Sequence, residues 1–299
     1  MSALIGEAAA LATSMLWATS STLFTLGSKE RSPQIVNRVR LVGAALLLGV
    51  SHLIFLGYLL PKESLFIWLL LGLSGIIGLA LGDAFLFWAY IKMGPRVSML
   101  LMSLAPIVTT TVAWVLFGER LSVLQVLAIT VTLAGVSWVV LDKRDHGSPF
   151  KITAFGILLG IGAMLGQAIQ LLMADYAMDH MGSSNPPLSA TFIRIIWGAA
   201  AVWLVTMVLG RSRITFRAMK DRRFVKFVSL ATIFGPFLGI WASFIAIKNV
   251  EMGVASTLMA LPPLFMIPVS MFVFKEKVSA RSIVGTVIAV IGVAGLFLL

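Results

Sequence analysis

The chain has 299 residues, of which 59% are hydrophobic and only 12% charged, with a mean hydropathy of +1.01. Soluble domains carry about a quarter charged residues, so a water-soluble globule is excluded and an integral membrane protein is implied. The formal net charge is +11, but the basic residues lie scattered between apolar stretches without an aromatic-rich basic face, which points to topology and anionic lipid and not to nucleic acid.

A helix needs about 20 apolar residues to cross a hydrocarbon core. On that measure the chain predicts an all-α membrane protein with ten transmembrane helices, at 4–26, 35–59, 64–90, 96–117, 121–141, 152–177, 187–209, 224–247, 253–274 and 278–298. The first apolar run precedes any basic residue, Lys29 being the first, so it is read as a retained helix and not a secretory signal. It carries Trp17, Ser20, Ser21 and Phe24 at helical spacing, a mixed aromatic and hydroxyl stripe suited to a ring-bearing or amphipathic ligand. Arg40 in the second span and Asp83 in the third fall at the same depth, measured outward from the turn near Pro61 and Lys62, so they are expected to form an ion pair within the bundle or, alternatively, to carry proton coupling.

The fourth span holds Met102, Ser103 and Pro106. A proline inside a spanning helix frees a backbone carbonyl and bends the helix, and Pro262 and Pro263 stand at the matching place in the ninth span, beside Met259. The sixth span presents Gln167 and Gln170 one turn apart, at the depth of Arg194 in the seventh; a guanidinium that deep is costly unless it is paired, hydrated or in contact with substrate. Trp88 and Tyr90 in the third span, with Trp241 and Ser243 in the eighth, could extend the same wall. Glycines such as Gly75, Gly78 and Gly82, and Gly235 and Gly239, allow helices to approach closely.

The second half repeats the first. Val97, Leu101, Met102, Leu104, Pro106, Val112, Phe117, Glu119, Ser122, Gly135 and Val136 recur at a constant offset as Val254, Leu258, Met259, Leu261, Pro263, Val269, Phe274, Glu276, Ser279, Gly292 and Val293. The duplication divides the chain into a first five-helix repeat at 1–141, a linker at 142–151 and a second repeat at 152–299. An odd number of spans per repeat makes the two copies enter the membrane in opposite senses. The basic residues agree with this: loops after the even-numbered spans hold only Lys62, Arg120 and Lys248. The positive-inside rule then places the odd loops in the cytoplasm and both termini outside a cell (inner) membrane.

No cysteine is present, which excludes a disulfide framework, a Cys-ligated metal and a thiol nucleophile; His52, His146 and His180 stand in no ligand-like spacing. No cofactor or metal is expected. Inverted duplication with paired interruptions in two halves is the sequence mark of a secondary transporter. A membrane-embedded transferase is the competing enzyme class, disfavoured because acidic residues are few and unclustered in the spans; a passive channel or scramblase is the other alternative.

The pattern resembles the drug/metabolite transporter superfamily, specifically the EamA-type proteins. The resemblance covers nearly the whole chain and is carried by Ala89, Gly94 and Pro95, by F-G-E-R-L-S at Phe117 to Ser122 with its second copy F-K-E-K-V-S at Phe274 to Ser279, by Arg40 and Arg194 near the start of the second helix of each repeat, and by Trp17. Two departures stand out: Lys275 replaces a glycine before Glu276, and Gln167 occupies the place of Trp17 in the second copy. The resemblance implies alternating access, with proton antiport or exchange against a counter-substrate, for amino acids, nucleotide-related compounds, vitamins or xenobiotics; the chain itself is read as an exporter, a monomer since ten helices complete a path or a homodimer through its glycine-rich outer faces. Glu119 and Glu276 are expected as caps or loop ion pairs.

Overall fold

The computed structural model describes residues 2–27, 31–105, 107–108, 122–140, 150–250, 255 and 258–298. Among them only helices, turns and connecting segments occur. The helices are α1 (Ser2–Gly27), α2 (Pro33–Leu56), α3 (Leu65–Gly75), α4 (Asp83–Met102), α5 (Val123–Val140), α6 (Ala154–Asp179), α7 (Pro186–Val208), α8 (Ser212–Ala218), α9 (Arg222–Thr232), α10 (Ile240–Asn249), α11 (Pro262–Phe272) and α12 (Ala280–Leu298). Among the described residues, five apolar helical stretches are long enough to span a bilayer: 33–56, 65–102, 154–179, 186–208 and 222–249. Their outer faces leave large apolar side chains such as Leu46, Ile54, Leu158 and Leu204 uncovered, as a lipid-facing surface requires.

Helix ends follow local chemistry. Pro33 and Pro186 open α2 and α7, where no intrahelical N–H is needed. Ser64, Thr153 and Asn185 each accept a backbone N–H in the first turn. Gly57, at φ 77°, closes α2 in the left-handed conformation. The predicted third and fourth spans are parted at Gly94, whose φ of 80° and ψ of 159° break α4 just before Pro95. The short helix α8, in the basic loop after α7, was not anticipated; in it Thr215 accepts a 2.9 Å hydrogen bond from Arg38 Nη1.

Both long spans that cross the centre change pitch at the same place in the repeat. Ile76–Gly82 links α3 to α4 as a π-helix, and Ile233–Gly239 links α9 to α10 in the same way, displaced by the offset of the sequence duplication. A π-helix admits an extra residue per turn and is seldom retained without a functional reason.

The two repeats are interleaved. α1 packs on α9, α10 and the second π-helical segment, all from the second repeat; α6 packs on α3, α4 and the first π-helical segment, all from the first. Each repeat thus lends its opening helix to the other's bundle. Elsewhere equivalent helices meet, α2 against α7 and α5 against α12, and α4 packs on α11. At the contact of α5 with α12, Gly135 lies against Ala289 and Gly292 against Thr132, the same pair of repeat positions used twice.

Candidate functional site

A cavity of about 180 Å³ lies where the repeats interleave, lined by α1, α2, the first π-helical segment and α4 from the first repeat and by α6, α7, the second π-helical segment, α10 and the start of α11 from the second. Its wall is mostly apolar and aromatic, with few polar groups, the usual composition of a small-molecule site.

Most of the residues singled out from the sequence meet at this wall: Trp17, Ser20 and Ser21 of α1, Met102 and Ser103, Gln167 and Gln170, Arg194, Met259 and Pro262, together with Arg40 and Asp83. Three do not. Trp241 is turned away from the lining and packs against Phe55 and Phe237, at ring-centroid distances of 5.7 and 6.1 Å. Pro263 is buried in the first turn of α11, behind the lining. Pro106 lies outside the described residues. The expected proline kink also takes another form. In the ninth span the helix stops at a turn over Ala260 and Leu261, and Pro262 and Pro263 start a new helix, where their missing N–H groups cost nothing. The equivalent Ser103 and Leu104 form the same turn in the first repeat.

The serines are committed to packing. Ser20 Oγ donates to the Ala231 carbonyl at 2.9 Å, just ahead of the second π-helical segment, and Gly235 leaves the space that Ser20 occupies. Ser21 Oγ lies 2.7 Å from the Trp17 carbonyl and 2.8 Å from the Tyr90 hydroxyl, and that phenol donates to Met99 Sδ at 3.1 Å. The second repeat copies the arrangement: Gly78 leaves room for Gln170, whose Nε2 donates to Gln167 Oε1 at 2.8 Å. Gln170 Oε1 is buried without a hydrogen-bond partner.

Arg40 and Asp83 form the expected ion pair. Arg40 Nε also donates to Asn37 Oδ1 at 2.8 Å, Asn37 Nδ2 donates to the Leu79 carbonyl of the first π-helical segment at 3.0 Å, and the guanidinium lies 4.9 Å from the Phe87 ring centroid and 5.5 Å from that of Phe24. This arginine is supported from every side.

Arg194 is not. It is 1% exposed, no carboxylate among the described residues lies within 4 Å of it, and its Nε and Nη2 have no hydrogen-bond partner. Its guanidinium sits 5.0 Å from the Phe244 ring centroid. A cation over an aromatic ring gains about 2 kcal/mol in a dry site, whereas burying an ion costs several. Phe244, Phe87 and Met99 were not anticipated from the sequence. Single aromatics and methionines in an apolar span carry no local signal that separates cavity wall from core.

Fold and site together define a polytopic helical membrane protein of two inverted, interleaved repeats that both line a central cavity. The profile of the EamA-like transporter family matches residues 4–141 and 154–298, and the chain belongs to that family, membrane transporters of the drug/metabolite superfamily. One solved crystal structure of a protein covers 99% of this chain and 96% of its own with a TM-score of 0.69 at 19% identity, a likeness in fold. No curated protein matches.

Proposed function

We propose that this protein is a secondary active transporter that exports small organic metabolites by alternating access of the central cavity, without a cofactor and with proton or counter-substrate coupling. The carrying observation is the cavity itself: both repeats line it, and each repeat brings to it a π-helical segment and a helix break at equivalent positions. Interrupted helices in two inverted halves are what a site needs if it is to be closed from either side by the rocking of one half on the other. The membrane is the cell's inner membrane, with both termini outside, as the distribution of basic residues indicates.

The test compares cells carrying wild type, Arg194→Ala at matched expression, or empty vector, with intracellular and extracellular metabolites measured by mass spectrometry. A compound depleted inside and accumulated outside only with the wild type is the expected result. No difference between wild type and vector, together with no concentrative uptake by proteoliposomes, would remove the transport reading.

A further inference from the structure

We infer that Arg194 is the substrate's anchoring residue and that the substrate is a small organic monoanion, a carboxylate on a single flat apolar body. This deepens the transport reading and rests on it only in treating the cavity's ligand as the transported molecule.

Charge supports the anion. The ionisable groups on the cavity wall are Arg40, Asp83, Tyr90 and Arg194. Arg40 and Asp83 neutralise one another, and a phenol is uncharged at neutral pH. The wall therefore carries a net charge of one positive, and the arginine outside the ion pair, Arg194, is 1% exposed with its Nε and Nη2 lacking partners. A guanidinium offers a planar fork that matches a carboxylate edge to edge. A monoanion brings the cavity to neutrality. A cation would double the mismatch, and a phosphate monoester, with its charge of roughly −1.5 to −2, would overshoot it.

Size and surface fix the body. Drug-sized ligands occupy sites of roughly 300–1,000 Å³, and an apolar cavity of roughly 150 Å³ is enough for benzene. A volume of about 180 Å³ suits one ring with its acid group. Trp17, Phe24, Phe87 and Phe244 provide aromatic faces for it, while Met99 and Met102 provide adaptable ones. Gln170 Oε1, buried and unpartnered, remains to accept a single donor such as a ring hydroxyl or amide N–H.

Purified full-length protein is titrated with benzoate, phenylacetate and 4-hydroxyphenylacetate, with the amide of each acid, and with tyramine, reading melting temperature and tryptophan fluorescence. At least one acid is expected to bind at least tenfold more tightly than its amide, with tyramine weakest. Arg194→Gln is expected to bring acid and amide to the same affinity, and Arg194→Lys to retain part of the difference. The inference is overturned if no acid binds more tightly than its amide in the wild type, a comparison that does not depend on any variant folding. It is equally overturned if folded Arg194→Gln keeps the acid preference. Proteoliposome flux separates the two readings. Acid-selective binding without flux sinks transport and leaves the anion site standing; concentrative flux without acid preference does the reverse.

Discussion

Arg96 Nε donates to Glu276 Oε2 at 3.1 Å, joining the start of the fourth span to the segment after α11, with both side chains at most 4% exposed. The pair crosses from one repeat to the other, and the ring contact of Phe150 with Phe274 ties the linker to the second repeat.

Removing one member of a buried pair takes a counter-ion from the other, which costs up to about 3–5 kcal/mol. Glu276→Gln is therefore expected to lower the melting temperature sharply, and the exchanged pair Arg96→Glu with Glu276→Arg to recover part of the loss. The check is a double-mutant cycle on detergent-purified protein. Additive losses would mean that the two residues do not act on one another.

Lys275 holds a φ of 55°, the single positive value among the described non-glycine residues. A left-handed conformation costs an L-residue about 1–2 kcal/mol and glycine almost nothing, while glycine surrenders about 0.5–1 kcal/mol of chain entropy. Lys275→Gly should stabilise by up to about 1 kcal/mol, seen as a raised melting temperature. A fall would mean that the lysine side chain contributes more than its backbone costs.

A methyl group at Gly135 would sit 2.6 Å from the Ala289 nitrogen and 2.8 Å from the Gly285 carbonyl oxygen, both backbone atoms that cannot swing aside. Gly135→Ala is expected to cost about 1–3 kcal/mol through overpacking, and Gly292→Ala, facing the Thr132 backbone at 2.6 Å, a similar amount. Gly182, with nothing within 4 Å, is the control. Equal melting temperatures for all three alanine variants would contradict the close approach of α5 and α12.

Asp221 caps α9 outside the spans. Its Oδ1 accepts from the Phe224 and Arg223 amides and its Oδ2 from Arg31, and these contacts, the Phe224 amide foremost, hold its carboxyl below the ordinary 3.8. A depressed folded value means that the stabilisation is complete above pH 3.8 and is lost as pH falls below it. Asp221→Ala should melt below the wild type at pH 7, with the gap narrowing in acid below pH 3.8. An unchanged gap across a pH series of melting curves would show that the charge plays no part.

The Arg40 and Asp83 pair could be read from the sequence because depth in a bilayer can be counted along an apolar helix from its turn. The repeat was legible for the same reason that it folds: equivalent prolines, glycines and glutamates serve equivalent backbone needs. Hydropathy does not say which helices touch, so the exchange of α1 and α6 between bundles was not visible. The π-helical segments were hidden too. Gly78, Gly82, Gly235 and Gly239 announced close packing, but a change of pitch depends on what is packed there, Gln170 in one case and Ser20 with Trp17 in the other. Trp241 was misplaced because its spacing on α10 fits an inner wall as well as the contact with Phe55 that it makes. Glu276 was expected in a cap or loop ion pair, but nothing in the sequence singled out Arg96 as its partner.

The contact between α5 and α12 is self-complementary: position 135 meets 289, and 292 meets 132. That is the geometry of an isologous dimer, in which each subunit offers both sides of the same seam. A single five-helix unit would already contain everything needed to associate with an oppositely inserted copy of itself. Joining the copies in one polypeptide released them from having to be identical. The central chamber displays the result, since the first copy supplies Trp17 and Ser20 where the second supplies Gln167 and Gln170, and of its two second-helix arginines Arg40 is the one in contact with a carboxylate. A symmetric pair of half-length chains would have carried either two neutralised arginines or two bare ones.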